Sequence, residues 1–229
     1  MATSGVDIYT VTAGEVIKDA LVLINVVPAT QAVTAADSAA AMRALNALMQ
    51  TWTMDGVYPW RKQSGQFTPV QGQAEYSLPQ RPLEIIDMRW VQNGGTEISL
   101  FEVSHDEYIE QPNKSAQGQP SLYYVRRNVT DTSVYLWPTP SVVTTQTVAM
   151  SYNRRTQIVT DASEDIDLPQ EWIETLTYNL AGRLGDQYGA KGEIYNRVLQ
   201  RAEYLYDQAK MFERVGVQSM YPDDQYGGS

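Results

Sequence analysis

The segment from Asp167 to Tyr188 carries the strongest single pattern in the sequence. Its apolar residues recur every four positions, with one more beside them: Trp172, Leu176, Leu180, Leu184, Tyr188 and Ile173. This spacing predicts one broad apolar face on a helix of about five turns. Pro169 suits the first helical turn, and Asp167 is predicted to cap the exposed amides. A helix with so wide an apolar face must pack against other parts of the chain.

Two further helices are predicted in the first 55 residues. Residues 12–15, Thr-Ala-Gly-Glu, match a capping box, and the helix behind them is predicted to stop before Pro28. Residues 34–37, Thr-Ala-Ala-Asp, repeat the box in front of an apolar stripe that reaches Trp52. Asp55-Gly56 is predicted to end this second helix, because glycine readily adopts the left-handed cap conformation.

A fourth helix is predicted after a turn bracketed by Gly189 and Gly192. Its apolar residues lie three or four positions apart: Ile194, Val198, Ala202, Leu205, Ala209 and Phe212. This narrow seam is typical of a helix that packs on one neighbour. From Val215 onward the periodicity is lost, which predicts a tail that is mobile when alone.

Between residues 65 and 152 the sequence consists of short β-rich runs separated by Pro, Gly and Asn. The predicted strands are Glu75–Leu78, Ile85–Val91, Glu97–Phe101, Leu122–Arg126, Val134–Trp137 and Thr147–Tyr152. Their spacing suits an antiparallel sheet or sandwich. Within this region, His105 to Tyr108 is predicted to form a short helix or a loop.

The order of these elements predicts an α+β fold. A helical bundle is expected from residues 1–64 and 153–214, with an antiparallel β region inserted at 65–152 and a flexible tail at 215–229. The bundle would bury the apolar face of the segment that ends at Tyr188.

Composition restricts the functions open to this chain. It has 17 basic and 27 acidic residues and a net charge of −10, which argues against a protein whose main task is to grip nucleic acid. That balance still allows a channel through which DNA slides.

There is no cysteine and one histidine, His105, so thiolate metal sites and cysteine nucleophiles are excluded. We find no signal-peptide pattern and no apolar run of membrane-spanning length, and expect a soluble protein made in a cytoplasm.

No group of residues predicts a catalytic, cofactor or metal site, so the chain is predicted not to be an enzyme. The cluster Asp161, Glu164, Asp165 and Asp167 lacks the ligand spacing of a calcium loop and is interpreted as a solvated linker whose charge favours the next helix's N-terminus. His105 adjoins Asp106 and Glu107, but sequence neighbours rarely face one another. Glu171 and Glu174 could form a glycosidase pair, although the helix dipole explains them more simply.

Two features are candidates for binding partners. Three basic pairs, Arg61-Lys62, Arg126-Arg127 and Arg154-Arg155, could contact phosphates or acidic partner surfaces, or could be solvated strand ends. The second candidate is the tail Met220-Tyr221-Pro222-Asp223-Asp224-Gln225-Tyr226, which mixes aromatic and acidic residues. It is either a segment that orders on docking to another protein or a disordered terminus.

Five motifs occur in the order seen in short-tailed phage head-to-tail adaptors, a family also called head completion, packaged-DNA stabilisation or tail tubular proteins. They are Ala44–Trp52 with Gly56–Arg61, Glu75–Pro79, Gly118–Pro120, Leu136–Pro140 and Leu168–Trp172. The chain resembles this family over roughly Thr10 to Phe212.

The resemblance implies a ring, typically of twelve subunits, beneath the portal protein. Such a ring extends the DNA channel, helps retain the packaged genome, and offers a platform for the tail nozzle or hub protein and often for fibres or spikes. DNA passes without sequence-specific binding, and the resemblance implies no membrane and no cofactor. The protein would be a virion component of the neck or tail, made in the bacterial host cytoplasm. By analogy, portal binding falls to Met220, Tyr221, Pro222, Asp223, Asp224 and Tyr226.

Two other functions remain open from the residues alone. A virion-associated cell-wall hydrolase would use a carboxylate pair and would clear peptidoglycan in a zymogram. A β-rich binding module unrelated to phage would lack a genomic neighbour that encodes a portal or terminase.

Overall fold

The computed structural model describes residues 9–54, 61–78, 81–141 and 146–215, with side chains as far as residue 211. The chain divides into two compact units. The helical unit comprises Met1–Val57 and Thr156–Ser229, and the β unit comprises Tyr58–Arg155. Helices and a large sheet together confirm the predicted α+β class. Within the described ranges, every helix is too short or too polar to cross a membrane.

The helices follow the predicted order, with one short addition in the β unit. They are α1 (Ala13–Leu23), α2 (Ala35–Met54), α3 (His105–Ile109), α4 (Ile173–Tyr188) and α5 (Glu193–Val215), and a 3-10 turn at Gln170–Trp172 precedes α4. α3 lies where the sequence predicts a short helix or a loop.

α4 is the central element of the helical unit, because it contacts α1, α2 and α5. Its leucines Leu176, Leu180 and Leu184 are fully buried. The Trp172 ring meets Trp52 of α2 edge-on, with 5.3 Å between the ring centroids. Burying each of these apolar side chains stabilises the fold by about 1.5–3 kcal/mol.

Gly185 allows α4 and α5 to approach closely. A β-carbon at this position would overlap the ring of Tyr195 on α5. The Tyr195 hydroxyl lies 2.8 Å from both the Gly182 carbonyl oxygen and the Asp186 carboxylate. Burial, followed by the neighbouring Asp186, raises the pKa of Tyr195 to about 12. Tyr195 therefore replaces the predicted Ile194 at the start of the seam, since Ile194 is 48% exposed.

The predicted ends of the first two helices differ in outcome. The capping box is present at the start of α1, where Thr12 and Glu15 bond each other's backbone amides. However, α1 ends at Leu23 instead of running to Pro28, because Asn25 adopts a left-handed φ of 56°. The predicted stop of α2 at Asp55-Gly56 lies outside the described residues.

The predicted cap of α4 is wrong. Pro169 occupies the N-cap position of the 3-10 turn with extended backbone, and no side chain caps that turn or α4. Asp167 instead accepts a hydrogen bond from the Gln157 amide at 2.8 Å. The 3-10 turn displaces the start of α4 away from Asp167. At the other end, Gly189 supplies the left-handed cap with φ 67°.

The strands of the β unit are β1 (Lys62–Phe67), β2 (Glu75–Leu78), β3 (Glu84–Val91), β4 (Glu97–Glu102), β5 (Gln117–Gly118), β6 (Leu122–Arg127), β7 (Thr132–Trp137), β8 (Thr139–Pro140) and β9 (Thr147–Asn153). They form a seven-stranded sheet of order β1-β9-β3-β4-β6-β7-β2 and a two-stranded pair of β5 and β8.

The sheet is mixed, so the prediction of an antiparallel region is wrong in part. β4 and β6 run parallel, with Phe101 opposite Leu122, and β5 and β8 are also parallel. The reason is the connection between β4 and β6, which passes through α3 and β5 and so returns the chain in the same direction. The remaining pairs are antiparallel.

One face of the sheet forms the core of the β unit. This cluster includes the fully buried Met88, Val134, Leu136 and Val148, together with Trp90 at 1% exposure. The rings of Phe67 on β1 and Tyr76 on β2 lie 4.9 Å apart, so the sheet curls until its two edge strands approach.

Candidate functional site

The three basic pairs lie at strand ends. Arg126 on β6 donates to the Glu75 carboxylate at 2.9 Å and lies over the Tyr135 ring, 5.1 Å from its centroid. Arg127, the last residue of β6, is exposed. Because successive strand residues point to opposite faces, only Arg126 reaches this carboxylate.

Arg154 and Arg155 follow the end of β9. The Arg154 amide donates to the Arg61 carbonyl at 2.9 Å, and its guanidinium donates to the Arg155 carbonyl at 3.1 Å. The Nε of Arg155 donates to the Arg81 carbonyl at 3.2 Å. The bond to Arg61 connects the end of the β unit to the residue before β1, and the bond to Arg81 connects it to the segment before β3.

Arg81, whose carbonyl accepts this bond from Arg155, was not predicted from the sequence as a candidate residue. It is a single arginine beside Pro82, so it forms no basic pair. Its φ is +44°, in the region that non-glycine residues rarely adopt. Its Nε is buried and has no hydrogen-bond partner among the described residues. A strained, partly buried cation of this kind suggests a functional role.

Arg155 feels the positive charges of both Arg81 and Arg127. Burial lowers the pKa of Arg155 below its usual value, and repulsion from Arg81 and Arg127 lowers it further. We call these three residues the arginine triad. All three residues lie toward the same end of the sheet. The start of β3 pairs with the end of β9, and β6 ends at that side because β4 is antiparallel to β3 and parallel to β6.

Charge is divided unevenly between the two units. The β unit, Tyr58–Arg155, contains nine basic and nine acidic residues. The whole excess of ten negative charges therefore belongs to the helical unit. Within the β unit, six of the nine cations lie at the strand ends described above: Arg61, Lys62, Arg81, Arg127, Arg154 and Arg155.

Three tyrosine rings contact one another in another part of the β unit. The ring centroid of Tyr108 on α3 lies 5.5 Å from that of Tyr124 on β6 and 5.6 Å from that of Tyr135 on β7, and Tyr124 and Tyr135 lie 5.7 Å apart. The exposed ring of His105 lies 5.2 Å from Tyr124. Burial, and then the hydrogen bond to Glu75, raises the pKa of Tyr135 to about 12. These contacts hold α3 on the sheet and give His105 an aromatic neighbour.

The acidic cluster of the linker makes local hydrogen bonds. The Asp161 carboxylate accepts from the Ser163 hydroxyl at 2.6 Å and from its amide at 2.9 Å. The Glu164 carboxylate likewise accepts hydrogen bonds from the backbone amide and from the hydroxyl of Thr160, each at 2.7 Å. These bonds lower the pKa of both carboxyls. Within the described ranges, no three potential ligands gather as a metal site would require.

The same linker lies against the start of α1, whereas the sequence had suggested the start of the helix that follows it. The Ala13 amide donates to the Glu164 carbonyl at 2.9 Å, and the Gly14 amide donates to the Ala162 carbonyl at 2.8 Å. Asp165 forms a bridge with Thr12. The linker therefore satisfies amides at the α1 N-terminus.

The other carboxylate candidates have local partners too. Glu174 accepts from Arg201 of α5 at 3.1 Å, and Glu171 accepts from the Gln170 amide group at 3.4 Å. Glu107 forms the capping box of α3 with Ser104. The candidate portal-binding residues Met220 to Tyr226 lie outside the described residues.

Comparison with known proteins comes from a family model and from solved structures. No curated protein matched the chain. Among solved structures, it is similar to a chain of the "Neck of empty GTA particle computed with C6 symmetry", at 12% identity and a TM-score of 0.30, covering 84% of this chain and 93% of that one. The model of the SU10 adaptor protein family matches residues 11–222. The chain therefore belongs to the SU10 adaptor protein family, which confirms its predicted resemblance to phage head-to-tail adaptors.

Proposed function

We propose that this protein is a structural ring subunit of the phage neck that joins the portal protein to the tail. The observation that carries the proposal is membership of an adaptor family over residues 11–222. The local hydrogen bonds of the linker and helix-start carboxylates support a structural role over an enzymatic one. The protein is made in the host cytoplasm and ends in the virion.

The ring extends the DNA channel and helps retain the packaged genome. We propose that it contains twelve subunits, with the portal on one side and the tail nozzle or hub on the other. A net charge of −10 per subunit supports a channel in which DNA slides, because like charge disfavours tight phosphate contacts. Fibres or spikes can use the same ring as a platform.

The C-terminal segment provides the portal contact in this proposal. Met220, Tyr221, Pro222, Asp223, Asp224 and Tyr226 supply the aromatic and acidic groups. Tyrosine suits such an interface, because its large ring orders at little entropic cost. Arg126, Arg127, Arg154 and Arg155 are proposed to contact DNA or a partner protein, with Arg126 the least available, because Glu75 already pairs with it.

The experiment mixes the purified chain with the portal protein of the same phage. Light scattering should show a monomer or labile oligomer alone and a stable complex with the portal, which electron microscopy should resolve as an added ring. Absence of any complex would overturn the proposal.

Truncation after Gly216 should leave the circular dichroism spectrum unchanged and weaken portal binding. Unchanged affinity in calorimetry would remove the tail from the interface.

A further inference from the structure

We infer that the arginine triad, Arg81, Arg127 and Arg155, is a docking site for carboxylates on the helical unit of a second copy of this chain. The inference rests on the proposed ring, in which identical subunits lie side by side. It goes beyond that proposal by assigning one contact surface and the chemical class of its partner groups.

The triad is assembled from three separate segments. Arg127 ends β6, Arg81 lies three residues before β3, and Arg155 lies two residues after β9. The bond from the Arg155 Nε to the Arg81 carbonyl, 3.2 Å long, holds two of these segments together. Strand register brings Arg127 to the same end of the sheet, because β4 pairs antiparallel with β3 and parallel with β6. The fold therefore places the three cations near one another, and Arg81 and Arg127 repel the charge of Arg155.

Within the part of the chain that the structure describes, the triad has no counterion of its own. Among the described residues, no carboxylate forms an ion pair with any of its members. Arg89 and Arg126 of the same unit differ, since each pairs with a carboxylate at 3.1 Å or less. The Nε of Arg81 is also buried, and none of the described residues offers it a hydrogen bond. Cations that are held together and left without internal counterions favour an external anion.

The charge distribution indicates which anion this is. All ten excess negative charges of the chain belong to the helical unit, so each ring neighbour brings an acidic surface. Arginine pairs with carboxylates through two parallel hydrogen bonds. A nucleic acid would be repelled by the same ten charges, since its phosphates carry like charge. Charge complementarity therefore favours the second copy over DNA.

The test compares ring assembly of the wild type with that of R81Q/R127Q/R155Q. Sedimentation velocity with purified portal measures the concentration at which half of the ring has formed, at about 50 mM and about 500 mM salt, which span weak and strong screening. The triple variant should need roughly 10- to 100-fold more protein at low salt. The wild type should lose most of this advantage at high salt, because screening weakens exposed ion pairs.

A matched control removes three other cations that already have partners within the chain. R89Q/K114Q/R201Q changes the net charge equally, but these side chains have carboxylate or carbonyl partners. Its assembly midpoint should stay within about threefold of wild type, as expected for surface pairs. R127Q alone changes one exposed residue, so it keeps the test valid if the triple variant misfolds. It should shift the assembly midpoint in the same direction as the triple variant. Circular dichroism verifies folding of each.

The outcomes separate this inference from the proposed function. Wild-type assembly with an unchanged triple variant would overturn the inference and leave the ring intact. Failure of the wild type to assemble on the portal would overturn both. Normal assembly of the triple variant combined with weaker binding of a fluorescent duplex would show that the triad binds DNA phosphates, and would also overturn the inference.

Discussion

The helical unit and the β unit differ in how they arrange apolar residues and charge. The helical unit buries one face of α4 against α1, α2 and α5, and it carries the whole negative excess of the chain. The β unit buries one face of a curled sheet, contains equal numbers of basic and acidic residues, and has six of its nine cations at the strand ends. The even charge total of the β unit therefore hides the arginine triad, which only the positions of the individual residues reveal.

The two units also differ in what their charged groups contact. In the helical unit, carboxylates such as Glu15 and Glu164 accept hydrogen bonds from nearby amides and hydroxyls. In the β unit, the arginine triad lacks carboxylate partners among the described residues. Charges that stabilise local structure and charges available to partners can thus be told apart by their contacts.

The largest predicted effects come from the tryptophans buried in each unit. Trp172→Ala in the helical unit and Trp90→Ala in the β unit, where the side chains are 2% and 1% exposed, should each lower the free energy of unfolding by about 3–5 kcal/mol. Urea denaturation followed by circular dichroism measures both. Met211→Ala, at a 60% exposed position, is the control and should change little. A cost below about 1 kcal/mol for either tryptophan would contradict its assignment to a core.

Gly185→Ala tests the close approach of helices that is specific to the helical unit. The added methyl group overlaps the Tyr195 ring, so we expect a loss of about 1–3 kcal/mol in the free energy of unfolding. Combining it with Tyr195→Ala removes the overlap. The two losses should therefore be less than additive in a double-mutant cycle. Strict additivity would mean that the two residues do not meet.

Two capping boxes allow a matched comparison across the units. Thr12→Ala removes the cap of α1, an 11-residue helix, and Ser104→Ala removes the cap of α3, a 5-residue helix. Thr12→Ala should cost about 1 kcal/mol of unfolding free energy. Ser104→Ala should cost less, because α3 is a single turn with one buried residue. Thermal denaturation ranks the two variants, and an equal or larger cost at Ser104 would contradict this order.

The smallest predicted effect concerns pH. Hydrogen bonds from Tyr135 and Ser133, and then attraction to Arg126, lower the pKa of Glu75 below 4.5. A carboxyl with a depressed folded pKa contributes stability above its unfolded pKa, and that contribution is lost as pH falls through the folded value. Glu75→Gln should therefore flatten the acid side of the stability profile by less than about 1 kcal/mol, as expected for an exposed pair. Denaturation at pH values between about 3 and 7 measures the difference, and an identical profile would refute it.

The sequence predicts the helical unit better than the β unit, for physical reasons. The repeat from Trp172 to Leu184 reports burial directly, because one helix face meets the core. The edge strand β1 escaped prediction, since its residues Lys62–Phe67 are mostly polar and pair with β9 on one side only. The parallel pairing of β4 and β6 depends on a crossover that strand patterns do not encode.

The arginine triad was only partly predictable. Arg127 and Arg155 belong to basic pairs, whereas Arg81 stands alone before Pro82 and joins them only through strand pairing. The alignment of β3, β6, β7 and β9 at one end would have been the necessary signal. The predicted cap at Asp167 is wrong because the Asp167 carboxylate accepts a hydrogen bond from the backbone amide of Gln157, ten residues earlier. Like the position of Arg81, this contact depends on the tertiary fold and not on the local sequence.

The most direct test of the central claim is a cryo-electron microscopy reconstruction of the neck in intact virions. The account predicts a closed ring of this chain between portal and tail, with the channel through its centre. Its subunits should contain helices matching α1, α2, α4 and α5 and a seven-stranded sheet. A neck in which another protein fills that position, or virions that lack this chain, would contradict the account.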